Sequence, residues 1–264
     1  MRAAFYQGAR TFTTGEMAPP RPGPDDALLR VRRVGICGTD LHIFQGHLDH
    51  RVPKRGITGH ETFGEIVEAP QASGVKGGDR VVVEPVVFCG SCRACAMGAS
   101  YLCYKLKVLG VDLPGGMQEY WAVRATRLLR VPDTISDDHA ALLEPLAVAV
   151  HDVARAEVKP GDAVLVFGGG PIGTLIALVA RHRGARVAVV EVNPFRLEIL
   201  KASASSASVP TQTSLRGPIS GRMARASTSR SKSPVALSPR APSPTWCASG
   251  APSALSRSTP SPSP

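Results

Sequence analysis

Hydrophobic and polar positions change rhythm twice along this chain. Through residues 1–150 apolar residues come in short runs, Ala27–Val34, Gly64–Glu68, Arg80–Glu84 and Gln118–Val123, separated by Gly and Pro turns. This pattern predicts a compact, mostly β domain with loop insertions. From Asp152 the texture changes. Ala163–Phe167 is a continuous apolar strand, Ile172–Arg183 has helical periodicity, Arg186–Val190 reads as a second strand and Pro194–Lys201 opens a second helix. Strand, helix, strand and helix at this spacing begin a parallel α/β domain. After residue 202 the periodicity stops. Residues 203–264 hold eighteen Ser and ten Pro with almost no sustained apolar pattern, which predicts disorder. The domains expected are therefore 1–150, 151–202 and a low-complexity tail over 203–264.

A length of 264 residues with 43% hydrophobic content suits two modest domains. The formal charge of +10 invites a nucleic-acid reading, but seven of the basic residues and no acid lie in 203–264. Setting those seven aside leaves +3 for residues 1–202, and no basic helix with interleaved aromatics is present. No nucleic-acid partner is expected. The N-terminal MRAAFYQGAR has no apolar core followed by a small-residue cleavage site. Ala163–Ala180 has nearly the length and polarity of a spanning helix, but Gly168-Gly169-Gly170-Pro171 would break a helix at its middle. A cytoplasmic protein with no membrane segment is expected.

Six cysteines in such a chain argue for metal before disulfides, and four lie within fifteen residues. Cys89-x2-Cys92-x2-Cys95-x7-Cys103 lets one loop close a tetrahedral thiolate shell around a structural zinc. An iron–sulfur cluster fits less well, because the bacterial pattern has a shorter last gap followed by Pro, and here Tyr104 follows Cys103. A second group is Cys37-Gly38-Thr39-Asp40-Leu41-His42 with Gly59-His60-Glu61. A thiolate, an imidazole and a carboxylate from separate loops suit a catalytic zinc with an open position. A third is Gly168-Gly169-Gly170-Pro171-Ile172-Gly173, a GxGxxG between a strand and a helix. In that context the glycines let backbone N–H groups approach a pyrophosphate at a helix N-terminus. Glu191, eighteen residues beyond Gly173, closes the second strand where an acid can bind adenosine ribose hydroxyls.

Taken in order, Cys-Gly-Thr-Asp-x-His, Gly-His-Glu, Gly-Asp-Arg-Val at 78–81, the four-cysteine loop, Glu144-Pro145-Leu146 and GxGxxG resemble the zinc-containing medium-chain dehydrogenases. The sorbitol, threonine and polyol branch is the most similar, over residues 1 to about 201. The resemblance implies a GroES-like catalytic domain joined to a doubly wound Rossmann domain, with the active site in the cleft between them. It implies that Cys37, His60 and Glu61 bind a catalytic zinc, with Glu144 as a fourth acid acting directly or through a water. It also implies that Thr39 takes the substrate proton, His42 passes it outward, Asp40 orients a ligand and Arg196 lies near the adenosine ribose. Activity would be hydride transfer from a secondary alcohol (a polyol, sugar or hydroxy amino acid) to a nicotinamide cofactor, with zinc making the alcohol more acidic. Two zinc ions per chain, NAD in preference to NADP, a small-molecule alcohol substrate and a dimer or tetramer complete the expectation. A catalytically inactive zinc-binding fragment is the alternative.

The tail departs from the resemblance. A doubly wound domain has six strands and only two are legible here. A natural disordered tail and a reading-frame slip both explain this, and the slip can be tested on paper. The family usually has Ala-Leu-Gly after the helix holding Leu197–Lys201. With GC-rich codons, loss of one base near codon 202 turns Ala-Leu-Gly-Phe-Glu-Arg-Val-Gly into Ala-Ser-Ala-Ser-Ser-Ala-Ser-Val, which is residues 202–209. The same shift turns Ala-Asp-Val-Val, as in a later family strand, into Pro244-Thr245-Trp246-Cys247. On that reading Cys247 and the basic residues of the tail carry no function.

Overall fold

The computed structural model describes residues 1–8 and 10–203, together with the backbone of Val235–Leu237. The chain divides into two compact units, Met1–Pro145 and Leu146–Pro264.

The first unit opens with a hairpin of β1 (Arg2–Gly8) and β2 (Thr11–Glu16). Sequence periodicity missed this hairpin. In β1 only Ala3, Phe5 and Tyr6 are buried, and β2 is polar and largely exposed, so pairing holds the strands rather than an alternating apolar face. Then come β3 (Asp26–Gly35), the short helix α1 (Gly38–Phe44), β4 (Glu61–Glu68), β5 (Arg80–Val83), β6 (Val86–Val87), the single-turn α2 (Arg93–Ala96) and β7 (Lys107–Val108). The unit continues with β8 (Tyr120–Arg124), β9 (Leu128–Arg130) and the single-turn α3 (Asp137–Ala140).

Strands β8-β3-β4-β5-β9 form one antiparallel sheet in that order, and β6 pairs with β7 beside the cysteine loop. One face of the sheet alternates inward: Ala27 and Leu29 of β3, Ile66 of β4, Val81 and Val83 of β5, and Trp121 and Val123 of β8 form its core. The short runs seen in the sequence are these strands. In β4 the strand begins at Glu61 rather than at the expected Gly64, so a candidate metal ligand starts the strand instead of lying in a loop.

The helix α4 (Leu143–Arg155) spans the division, with Ala149 and Val153 buried in the second unit's core. There β10 (Ala163–Phe167), α5 (Pro171–His182), β11 (Arg186–Val190) and α6 (Pro194–Ser203) follow, with β10 and β11 parallel and in register from Ala163↔Arg186 to Phe167↔Val190. Val164, Val166, Ile176, Ala180, Val189 and Leu200 fill the space between these strands and helices. This is the α/β architecture the periodicity predicts, and both strand boundaries match the expected ones.

One feature of this unit departs from expectation. Within the segment read as disordered, β12 (Val235–Leu237) pairs antiparallel with β10, Val164 opposite Leu237 and Val166 opposite Val235. The sheet order is thus β11-β10-β12, with three strands where the sequence offers two. The free edge of β10 carries a row of unpaired N–H and C=O groups that any extended segment can join, and the short Val-Ala-Leu run supplies one. Of the residues to which the frame argument applies, Ala202 and Ser203 end α6, and 204–209 and 244–247 lie outside the described residues. Among the described residues no helix is long and apolar enough to cross a membrane.

Candidate metal and cofactor sites

The four-cysteine loop leaves the β6–β7 ladder, and left-handed Gly90 (φ 71°) and Gly98 (φ 76°) fold it back on itself. Cys92 caps α2, Cys95 lies within it, and Cys103 follows one turn later. All four sulfurs lie within 4.8 Å of one another, with Cys92 Sγ 3.5 Å from Cys95 Sγ and 4.0 Å from Cys103 Sγ. Zinc–sulfur bonds of about 2.3 Å in a tetrahedron set sulfurs about 3.8 Å apart, so the cluster has the size a zinc ion requires. The backbone is aimed at thiolates as well: the N–H groups of Cys89 and Lys105 both donate to Cys103 Sγ at 3.3 Å. N–H groups of Ser91 and Cys92 bring the Cys89 thiol down to about 6, whereas burial and the neighbouring thiols push Cys95 up to about 12. Four thiols cannot all ionise here without a cation to neutralise them.

The second group forms where β3 ends and β4 begins. Cys37 is the N-cap of α1, and its N–H donates to Asp40 Oδ2 at 2.9 Å. Asp40 thereby fixes the backbone of a candidate ligand residue. Gly35 and Glu61 are direct partners across the β3–β4 ladder, which carries His60 and Glu61 up to Cys37. The ligand atoms of Cys37, His60 and Glu61 all lie within 4.8 Å of one another. Segment 57–62 is held there by close backbone packing. Gly115, Gly116 and Met117 donate to the carbonyls of Ile57, Gly59 and Thr58 at 2.8, 2.8 and 2.9 Å. A Cβ on Gly110 would come within 2.6 Å of the Gly59 carbonyl and 2.9 Å of the His60 nitrogen. No side chain fits at Gly110 or Gly115, so the position of His60 is fixed there by backbone against backbone.

This group gathers buried acidic side chains around one histidine. Burial pushes up the Cys37 thiol and the carboxyls of Asp40, Glu61 and Glu144, and Glu61 and Asp40 reinforce the effect on Cys37. Asp40 Oδ1 and His60 Nδ1 are buried with no hydrogen-bond partner. A divalent ion bound by thiolate, imidazole and carboxylate would reverse those shifts, so the residues present fit zinc. Glu144 stands outside the close trio, although its carboxyl responds to both His60 and Glu61.

Thr39 Oγ1 is 3.7 Å from Cys37 Sγ, and His42 lies three residues further along α1. Sequence reasoning missed the residue beyond it. His47 Nδ1 lies 3.1 Å from His42 Nδ1, within hydrogen-bond reach. The loop bearing His47 is tied down by Tyr6, whose hydroxyl donates to Asp49 at 2.5 Å, and by a two-pronged Arg51–Asp112 pair at 2.9 and 2.6 Å. Burial and Asp49 push the Tyr6 phenol up to about 12.

In the second unit Gly168 (φ 97°) turns the chain out of β10, and Pro171 opens α5. A Cβ on Gly173 would overlap the Gly168 carbonyl, and one on Gly169 would overlap Leu200, so this turn accepts only glycine at those positions. The side chain of Glu191 is 4% exposed, and its carboxylate accepts N–H groups from Gly169, Val192 and Asn193 at 2.8, 2.7 and 2.8 Å. Burial alone would raise this carboxyl, but those donors, with Arg196 at 3.6 Å, hold it below its usual range. A cavity of about 720 Å³ lined by Trp121, Phe88 and Leu109 contains none of the residues singled out from the sequence.

Residues 23–133 match the alcohol dehydrogenase GroES-like domain. The chain is 42% identical over 201 residues to the 2-dehydro-3-deoxy-L-galactonate 5-dehydrogenase of Pseudoalteromonas atlantica. The chain carries the GroES-like domain of the alcohol dehydrogenases and is similar to zinc-binding dehydrogenases beyond it. That galactonate match covers 75% of this chain and 58% of the relative. The L-threonine 3-dehydrogenase of Alteromonas mediterranea is 39% identical over 194 residues, 72% of this chain and 57% of the relative. The chain thus spans less than two thirds of the length of these curated relatives. Among solved structures, a zinc-binding dehydrogenase of Sinorhizobium meliloti bound to NADP matches with a TM-score of 0.74 and 32% identity, covering 79% of this chain and 60% of that one. The 2R,3R-butanediol dehydrogenase of Bacillus subtilis matches with a TM-score of 0.72 and 31% identity, over 83% of this chain and 65% of that one. The solved structures match across both the GroES-like unit and the α/β unit that follows it.

Proposed function

We propose that this sequence encodes the catalytic domain and the start of the cofactor domain of a zinc-dependent, NAD-linked dehydrogenase acting on a secondary alcohol of the polyol, sugar or hydroxy-amino-acid class. The observation that carries the reading is the convergence of Cys37, His60 and Glu61. These three would hold a catalytic zinc, and Cys89, Cys92, Cys95 and Cys103 a structural one. The first would supply a Lewis acid that makes a substrate hydroxyl more acidic. Thr39 Oγ1 is then placed to accept the hydroxyl proton, and His42 to pass it outward to His47 and solvent. Asp40 keeps Cys37 and the start of α1 in place, and the charge of Glu144 adds to the field around His60 and Glu61.

The test is metal content. Purified protein is expected to carry two zinc ions per chain, and Cys37→Ser to carry one, because the four-thiolate loop does not depend on Cys37. Elemental analysis finding the same count in both proteins would end the reading.

Gly168, Gly170, Pro171, Ile172 and Gly173 would cradle the pyrophosphate of the cofactor, and Glu191 and Arg196 would lie beside the adenosine ribose. Glu191 is already committed to three loop N–H groups, so it acts first by shaping the turn and then as a fixed negative charge. That charge disfavours a 2′-phosphate. A protein with a full-length, frame-restored cofactor domain is expected to bind NAD at least ~10-fold more tightly than NADP. In Glu191→Ala that preference should vanish and NAD binding should weaken as well, because the turn loses its anchor. Tighter binding of NADP by the unsubstituted frame-restored protein would overturn the assignment.

A further inference from the structure

Gly35 stands directly opposite Glu61 in the β3–β4 ladder. Directly paired residues project from the same face of a sheet with Cβ atoms about 5 Å apart, so a side chain at 35 would share space with the Glu61 carboxylate. Glu61 takes all of it. A Cβ on Gly35 would overlap Glu61 Oε2, lie 2.9 Å from Glu61 Cβ and lie 3.2 Å from Cδ. The carboxylate is folded over the bare Cα of the facing strand, on the side from which Cys37 emerges two residues later.

The backbone gives no other reason for glycine here. Gly35 is not among the glycines with positive φ, so any residue could adopt its conformation. Inside a strand glycine weakens the structure, and a strand glycine often marks a place where another group approaches closely. The group approaching Gly35 is Glu61, which is 7% exposed and belongs to the trio with Cys37 and His60.

We propose that Gly35 is a positioning residue of this metal site: its missing side chain admits the Glu61 carboxylate as third ligand. This rests on the reading of Cys37, His60 and Glu61 as ligands, and it adds a requirement that those three residues do not express. Its nearest steric obstacle, Glu61 Oε2, is the far end of a flexible side chain, whereas Glu61 Cβ at 2.9 Å moves only with its strand. A methyl group at 35 would therefore turn the carboxylate away from Cys37, and the two strands would part by a few tenths of an ångström without the sheet being lost.

The experiment is a double-mutant cycle in the 264-residue protein, with Gly35→Ala, Glu61→Ala and both together, titrated with Co²⁺ and followed by visible absorption, metal count and thermal midpoint. The unsubstituted protein should bind two ions. Gly35→Ala should keep the four-thiolate ion and bind the second ten- to a hundredfold more weakly. Glu61→Ala should show a similar loss, and the double variant should be no weaker than Glu61→Ala alone, because Gly35 acts through Glu61. Undiminished second-site affinity in Gly35→Ala would overturn the proposal. So would losses that multiply in the double variant with an equal fall in thermal midpoint in both backgrounds, since these would give Gly35 a purely structural role. An unsubstituted protein that binds one ion only would overturn the ligand reading beneath it, an outcome distinct from both.

Discussion

Cys103→Ser is expected to take the metal count from two to one and to lower the thermal midpoint of the first unit by roughly 10 °C. Cys103 is the buried member of the four-thiol cluster, and its sulfur accepts two backbone N–H groups that fold the loop over itself. A serine oxygen is smaller, harder and bound to a shorter side chain, so it satisfies neither the ion nor those donors. Loss of a structural metal is among the few single changes that exceed the usual destabilisation; about 4 kcal/mol, at ~2–4 °C per kcal/mol for a domain of this size, gives the stated fall. Scanning calorimetry with elemental analysis is the measurement. A variant that kept both metals and its melting temperature would show that the cluster does not close around an ion. Cys37→Ser supplies the contrast, since its lost ion lies at the open site and should cost far less stability.

The second large effect concerns turnover. The 264-residue protein is expected to oxidise secondary alcohols with NAD at least ~100-fold more slowly than a version with one base restored near codon 202, a loss of the size that misplacing reactants by about an ångström produces. Three strands are the lower limit for an independently stable sheet, and here one of them is a three-residue antiparallel strand against β10. In an open α/β sheet the cofactor rests at the switch point beside the first strand. In this chain β12 takes that edge, running in the opposite direction to β11. Val192 and Phe195 are each 72% exposed, so part of the apolar surface of the cofactor half is left uncovered. Resequencing around codon 202 and assaying both proteins decides the matter. An intact reading frame with robust NAD-dependent turnover by the present chain would sink both the slip and the predicted inactivity.

Legibility in the sequence followed the range of the interactions. Elements set by their own period were readable: Ala163–Phe167 and Arg186–Val190 emerge with the expected ends because each is built on an apolar run that opens just after a glycine turn, at Gly161 and Gly184. The hairpin of β1 and β2 was not, since Thr11–Glu16 has no apolar face and owes its extension to a partner strand. The candidate metal trio was legible as residue types in Cys37 and Gly59-His60-Glu61, but their convergence comes from strand register. What the motif concealed was the empty space. Gly35, Gly110 and Gly115 carry no chemistry of their own and matter only for what their missing side chains allow. His47 was hidden for a related reason: nothing in its spacing from His42 distinguishes it from any surface histidine until the loop is folded back.

The packing of segment 57–62 against 109–117 constrains how this site can be inherited. Gly110 and Gly115 meet the 58–60 backbone directly, while Thr58 packs on Met117 and Thr62 on Gly116, so neither segment can change without the other. The two stretches, some fifty residues apart in the chain, therefore form a single exchangeable module. A chimera that imports Gly59-His60-Glu61 without its partner segment carries the proposed ligands and lacks the mould that aims them. Recombination breakpoints tolerated by this domain should accordingly fall outside residues 57–117, and libraries that shuffle within that interval should lose metal binding at the proposed Cys37–His60–Glu61 site more often than the fold.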